Sequence, residues 1–469
     1  MTTRHNAQLH RLDAPRPSRM TCDAAVALGF TFEDVPSVTP PTLDPAIDAD
    51  AITLITGPSG SGKSCMLRSA IEAFEARDVR VVTPTGSRLR NLPALDLLRM
   101  PPPDGMRALA EVGLAEFAVF ARRPGELSDG QLERLRLALA LAAIDRAPRS
   151  TPCVLVVDEF GARVDPVAAK ALAHTLGRAV RGRRGVRPLG ALLVRHTPDL
   201  APDLRADRVI RIALDQRVCE IDADSLAEHR ALTERLAIGL ADTSTYRALA
   251  RYHYRPSPPA GAVRCRAAHD EATGELAGVL ITAMPSLNSS WRRHAWGDRY
   301  ATGDKRADAK RINAEIRRIA RVVIDPRYRG LGLAARLVRA ELADPLTPRT
   351  EAMAAMGTTC PFFERAGMTP YHTPAPAHHA RLLDALAYLG IEPWRLADPA
   401  GVWTRATINT SIRRFFEDEL ARWTRAPTTP KHLRRTDDPR EALRCACRSI
   451  ATAPIGYAHD ARRAGPIDP

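Results

Sequence analysis

The turn Gly57-Pro58-Ser59-Gly60-Ser61-Gly62-Lys63-Ser64 sets glycines, a lysine and a hydroxyl at the spacing that holds phosphates. Its glycines let several backbone amides converge on an anion at a helix N-terminus. Lys63 would reach the β- and γ-phosphates, and the Ser64 hydroxyl would ligate Mg²⁺. Asp158 and Glu159 close the apolar run at 154–157. There Asp158 would hold the ion from its other side and Glu159 would polarise an attacking water. Leu127-Ser128-Asp129-Gly130-Gln131, Asp165 and His196 complete the series in chain order. Together these residues mark the first half of the chain as a nucleotide hydrolase.

A second glycine loop, Arg327-Tyr328-Arg329-Gly330-Leu331-Gly332-Leu333-Ala334, leaves a strand expected at 318–324 that ends in Val323 and Ile324. Amides from Leu331 to Ala334 form an anion seat at a helix start, and Arg327 and Arg329 add charge suited to a pyrophosphate. Upstream, Asn288-Ser289-Ser290-Trp291-Arg292-Arg293-His294 gathers polar, aromatic and basic groups, in a pocket or an incidentally polar loop. The run from Lys305 to Arg321, with Arg306, Lys310, Arg311, Arg317 and Arg318, is spaced to track a phosphate backbone. Asp304, Asp308 and Glu315 make a solvated helix face an equal reading.

These residues need elements to position them. Short β-branched runs at 51–56, 79–83, 154–157, 189–194 and 208–212 read as strands separated by helices, the first at 64–77. That alternation predicts an α/β domain with a mostly parallel sheet covered on both faces. A helix is expected at 231–250, then a proline-rich entrance at 256–261. Strands follow at 262–268, 275–283 and 318–324, and helices at 377–389 and 407–423. The expected division is a flexible arm at 1–45 carrying one short helix at 23–28, a nucleotide domain at 46–230, an α+β domain at 231–375, a helical extension at 376–425 and a poorly ordered tail at 426–469.

The 469 residues exceed what one core usually organises, and 45% hydrophobic with 26% charged residues is ordinary globular composition. A net charge of +14 favours a polyanionic partner such as nucleic acid. With lysine only at positions 63, 170, 305, 310 and 431, an arginine-rich composition explains the charge equally well. Eight scattered cysteines with no C-x-x-C pair fit a reduced, cytoplasmic protein without a structural zinc site. No stretch reaches the roughly 18 apolar residues of a membrane span, and the first twenty residues lack a secretory signal.

Leu127-Ser128-Asp129-Gly130-Gln131, ahead of Asp158-Glu159, resembles the signature of ABC-type ATPases. The resemblance implies that Ser128 and Gly130, with Gln131, contact the γ-phosphate held by an opposite protomer, that Asp165 is a dimer contact, and that His196 is the switch histidine. ATP-binding positions would then be Gly57, Ser59, Gly60, Ser61, Gly62, Lys63, Ser64, Ser128, Gly130, Gln131 and Asp165, with Glu159 and His196 catalytic and Ser64 and Asp158 on Mg²⁺. One such set per chain implies an ATP-dependent homodimer. Only 65 positions separate Lys63 from Ser128, and none of residues 65–127 is a glutamine. Both features depart from the transporter pattern.

The second loop, with Pro361-Phe362-Phe363-Glu364-Arg365-Ala366-Gly367-Met368, resembles GNAT-family acetyltransferases over about 231–371. This implies acetyl-CoA contacts at Val323, Ile324, Arg327, Arg329, Gly330, Leu331, Gly332, Leu333 and Ala334, and a strand at 351–356 splayed from its neighbour to admit the thioester. Phe363 stands where many members carry a proton-donating tyrosine. Cys360 and Tyr371 are the candidate replacements, and Asn288 and Ser289 the candidate acceptor residues. The whole resembles prokaryotic proteins that fuse an ABC-type ATPase to an acetyltransferase domain. The implied activity is acyl transfer coupled to ATP hydrolysis, the acceptor being nucleic acid or a component bound to it. A nucleotide-switched binding module with a non-catalytic GNAT fold and a small-amine N-acetyltransferase are the alternatives.

Overall fold

The computed structural model describes residues 18–29, 47–84, 89–222, 226, 229–253, 257, 259–357, 360–372, 376–426, 438–451 and 454–462. Five apolar runs, β1 (Ile52–Thr56), β2 (Arg80–Val82), β3 (Cys153–Val157), β4 (Leu189–Val194) and β5 (Arg208–Ile212), pair in parallel. β6 (Val218–Glu220) joins β5 antiparallel, giving the order β2-β3-β4-β1-β5-β6. Every residue of β1, β3 and β4 is buried, as central strands covered on both faces require.

The accompanying helices are α1 (Arg19–Leu28), α2 (Lys63–Glu75), α3 (Ala94–Leu97), α4 (Pro102–Glu111), α5 (Phe117–Phe120), α6 (Asp129–Arg146), α7 (Pro166–Arg184) and α8 (Ala201–Leu204). α1 starts four residues before the helix expected at 23–28 because Ser18 and Thr21 form a capping box there. Residues 1–17 and 30–46 of the expected arm lie outside the described residues.

The second sheet contains β7 (Leu236–Ala241), β8 (Ala262–Asp270), β9 (Leu276–Ala283), β10 (Ile316–Ile324), β11 (Arg349–Ala354), β12 (Thr369–Tyr371) and β13 (Ile455–Asp460). Their order is β12-β13-β11-β10-β9-β8-β7. The linking helices are α9 (Tyr246–Leu249), α10 (Arg292–Trp296), α11 (Lys305–Glu315), α12 (Leu333–Ala343) and α13 (Phe362–Arg365). β10 and β11 are parallel, from Ile316↔Arg349 to Ile319↔Ala352, and β10 then runs on through Ile324 beyond that register. A helical group, α14 (Ala377–Tyr388), α15 (Pro399–Ala406), α16 (Thr410–Arg425) and α17 (Pro439–Ala451), closes on Leu382, Leu386, Phe416, Leu420, Trp423 and Leu443.

Three expectations are corrected. Residues 231–250 are not one helix: Leu236–Ala241 is a strand containing Gly239, and Asp242 caps a tight turn by accepting the Ser244 amide at 2.7 Å. The tail is structured in its described part. α17 buries Ala442, Leu443, Ala446 and Cys447, and β13 pairs with β11 over six residues and with β12 over three. Alternating glycine, tyrosine and histidine there carried too little apolar signal to stand out from the flanking prolines and arginines.

The division is not at residue 230 either. One compact unit holds the chain to Ala237 plus His269–Ala277 and Ile324–Leu333, and the other holds Ile238–Ala268, Gly278–Val323 and everything from Ala334. The second glycine loop therefore belongs to the first unit. No described helix is long and apolar enough to cross a membrane, and no disulfide joins any of the eight cysteines.

Candidate functional site

β3, β4 and β1 are adjacent, so the loops leaving their carboxyl ends meet. Gly57 donates its amide to the His196 carbonyl at 3.3 Å, and the Ser64 hydroxyl faces Asp158 Oδ2 at 3.4 Å. Two neighbouring oxygens of an octahedral Mg²⁺ site, each about 2.1 Å from the ion, lie roughly 3 Å apart, so this pair fits. Lys63 Nζ donates to the Gly57 and Pro58 carbonyls at 2.8 and 2.6 Å, which holds it across the turn. Burial lowers the Lys63 pKa, against the opposing pull of Asp158 and Glu159. The buried Ser61 hydroxyl has no hydrogen-bond partner among the described residues, an atom that a phosphate oxygen would satisfy.

Two backbone positions fix this geometry. Gly57 has φ +148°, and a Cβ there would lie 2.2 Å from the Ile212 carbonyl oxygen. Glu159, an ordinary L-residue, is held at φ +52° with its amide donated to Asp158 Oδ1 at 3.0 Å. Such conformations concentrate where function requires them. Glu159 and His196 are both exposed at this edge.

Ser128 and Gln131 form a capping box: the Ser128 Oγ accepts the Gln131 amide at 3.3 Å, and Gln131 Oε1 accepts the Ser128 amide at 3.1 Å. Both side chains are thus committed to presenting the first turn of α6. A Cβ on Gly130 would sit 3.0 Å from the Arg163 carbonyl, so this turn packs on the loop after Glu159. Glu133 Oε1 accepts the Gly161 amide at 2.8 Å in the same contact. Asp165 caps α7, its Oδ1 accepting from Val167 and Ala168 at 3.0 and 3.2 Å.

The loop at His196 is braced by neighbours that sequence reading passed over. Arg195 binds Asp199 through Nε and Nη2 at 2.8 and 3.2 Å and reaches the Phe160 carbonyl at 3.0 Å. Burial would raise the Asp199 pKa, but hydrogen bonds from Arg195 and Thr197 hold it below its ordinary value.

At the second glycine loop, Gly330 and Gly332 have φ of +87° and +75°, Val323, Leu331 and Leu333 are buried, and Ala334 lies in the first turn of α12. The expected charge is otherwise engaged. Arg327 donates to both oxygens of Asp325 at 3.2 Å and to both oxygens of Glu275 at 3.0 and 3.1 Å. Arg329 donates to Glu116 Oε1 at 2.7 Å. Sequence spacing shows neither carboxylate partner, since Glu116 lies 213 positions away from Arg329.

In the second unit Asn288 is exposed, the Ser289 carbonyl accepts the Arg292 amide at 3.3 Å, and Tyr371 stacks on Trp291 with ring centroids 6.2 Å apart. Cys360 precedes a helix of only four residues, α13. Phe363 packs against Tyr457 at 5.1 Å, and the Tyr457 hydroxyl donates to Glu364 at 3.2 Å. Burial and then Glu364 push the Tyr457 pKa up to about 12. The buried Arg292 makes a bidentate bond to Glu351 at 2.8 and 2.9 Å and also binds the Ser286 and Leu287 carbonyls, closing one side of the 286–291 loop.

Similarity to known proteins meets this geometry at the first site. A family model described as an AAA ATPase domain matches residues 42–194. The zinc import ATP-binding protein of Ruegeria pomeroyi is 31% identical over 232 residues, covering 45% of this chain and 80% of that protein. The chain belongs to the ABC-type ATPases. The phosphonates import ATP-binding protein of Hyphomonas neptunium is 30% identical over 232 residues, covering 41% of this chain and 83% of that protein. A dimeric bacterial ABC transporter cassette aligns with 38% of this ATPase and 88% of its own chain at 19% identity, with a TM-score of 0.29.

Proposed function

We propose that this ABC-type ATPase hydrolyses ATP as a nucleotide-dependent homodimer and couples that cycle to acyl transfer in its second unit. The observation that carries the first part is the meeting of Gly57–Ser64, Asp158, Glu159 and His196 at the carboxyl ends of β1, β3 and β4. The turn amides and Lys63 hold the β- and γ-phosphates of ATP. Ser64 and Asp158 hold Mg²⁺, which when bound neutralises charge on those phosphates. Glu159 takes a proton from the water that attacks the γ-phosphorus, and His196 bonds the transferred group. Ser128, Gly130 and Gln131 belong to the turn that a second copy offers to the same phosphates, while Asp165 lies at the start of α7 beside it. A rate per chain that rises with protein concentration tests this; a rate independent of concentration down to the low nanomolar range would contradict it.

For the second unit, the parting of β10 from β11 after four paired residues supports a donor slot for acetyl-CoA. Asn288, Ser289, Cys360 and Tyr371 surround the acceptor side in this reading. An anionic acceptor, nucleic acid above all, suits Arg318 and Arg321, whose Nε atoms are buried without a partner among the described residues. Release of coenzyme A thiol that depends on added nucleic acid and falls steeply with salt tests it.

A second reading is a nucleotide-switched binding module without transfer chemistry. Phe363, which has no proton to give, and the carboxylates on Arg327 and Arg329 favour it. Binding of nucleic acid that follows the ATP state without any thiol release would decide for that reading.

A further inference from the structure

The Glu116 carboxylate holds the guanidinium of Arg329 at the second glycine loop. Its Oε1 is 2.7 Å from Arg329 Nη1, and Glu116 and Arg329 belong to the same compact unit. Around this pair α7 holds the glycine loop, and Arg134 of α6 lines the same small cavity as Arg329. Arg178 of α7 donates to the Gly330 carbonyl at 3.3 Å, and a Cβ on Gly330 would meet the Thr175 methyl at 2.3 Å. Arg134 of α6 donates to the Gly130 carbonyl at 3.1 Å and to Gly113 at 3.3 Å. Burial lowers the Arg134 pKa, and it feels both Glu116 and Arg329. Arg134 therefore stands beside the Glu116–Arg329 pair and is bonded to the serine-glycine turn through the Gly130 carbonyl.

We propose that Glu116 is an internal stand-in for the pyrophosphate of the acyl donor, and that ATP-driven dimerisation, acting on α6 and α7, frees Arg329 to bind that pyrophosphate. The inference rests on the acetyl-CoA reading of the second loop. It follows from competition for charge: the carboxylate at 2.7 Å neutralises the Arg329 guanidinium and would repel a phosphate approaching the same group. α6 begins at Ser128 and α7 at Asp165, the two positions proposed to meet a second copy. A shift in either helix acts directly on Gly130, Arg134, Thr175 or Arg178. The contact makes donor binding conditional on the nucleotide, so that an idle monomer does not hold acetyl-CoA.

The test uses the full chain carrying Glu159→Gln, with coenzyme A as the calorimetric probe, in Mg²⁺ with either ADP or ATP. The expected result is weak binding with ADP, tightened about tenfold by ATP, a factor that corresponds to about 1.4 kcal/mol. Adding Glu116→Gln should give the tight value in both nucleotides, whereas Glu116→Asp, which keeps the charge, should stay close to the ADP and ATP values of the parent. Equal affinities for Glu116→Gln and its parent in both nucleotides would overturn the gate while leaving the donor site standing. Absence of coenzyme A binding in every variant and nucleotide, with melting temperatures unchanged, would overturn both this inference and the acetyl-CoA reading.

Discussion

Glu133 and Gly161 tie the signature helix to the loop behind Glu159: the Glu133 carboxylate accepts the Gly161 amide at 2.8 Å, and Gly161 has φ +69°. The turn proposed for the partner's nucleotide and the loop proposed for the chain's own water are therefore one mechanical piece. Removing that bond with Glu133→Ala leaves the phosphate cradle untouched. ATP affinity of the monomer should hold within about twofold, while steady-state hydrolysis falls roughly tenfold, the scale of a coupling of 0.5–2 kcal/mol. Fluorescent-nucleotide titration beside a phosphate-release assay separates the two.

Gly57→Ala should weaken ATP binding without unfolding the sheet. The new carbon would lie 2.2 Å from the Ile212 carbonyl at φ +148°. A forced conformation of this kind costs about 1–3 kcal/mol, on the order of 10–100-fold in nucleotide affinity. The same titration checks it, with circular dichroism confirming an intact fold.

Breaking the Arg292–Glu351 pair should be severe. Both residues are buried, and Trp296 Nε1 also donates to Glu351 at 3.0 Å. Glu351→Gln leaves Arg292 charged without its counterion and should cost about 3–5 kcal/mol. Replacing both partners, Arg292→Met with Glu351→Leu, should recover most of that in urea unfolding of the full chain.

Acid should loosen the first unit through His174 on α7. Burial, then Arg178, Arg205 and Arg181, lowers its pKa to about 4 from 6.5. The unfolded chain then binds the proton more tightly than the folded one, so stability is intact above pH 6.5 and is lost as pH falls toward 4. His174→Gln should flatten the urea-midpoint profile across that window; an unchanged slope would contradict the assignment.

Much of the nucleotide half was legible because its chemistry is local. Gly57 to Ser64 needs its glycines in sequence, Asp158 and Glu159 must follow a buried strand, and Ser128 with Gln131 is a capping box readable three residues apart. What stayed hidden depends on distant partners. Neither Glu116 on Arg329 nor Glu275 on Arg327 leaves a trace in spacing, so the second loop looked like free positive charge. The strand at Ile455–Asp460 was missed for a related reason. Its place between β11 and β12 is set by pairing partners about a hundred residues upstream, not by its own apolar content. The helix expected over 231–250 failed because Leu232, Leu236 and Leu240 keep helical spacing while Gly239 and Asp242 favour a strand and a turn.

Sedimentation velocity of the Glu159→Gln chain tests the central claim, that two copies close on ATP, most directly. With ATP and Mg²⁺ it should run as a dimer, returning to monomer with ADP or when Ser128→Arg blocks the signature turn. A monomer at nucleotide concentrations that a titration shows to be saturating would contradict the account.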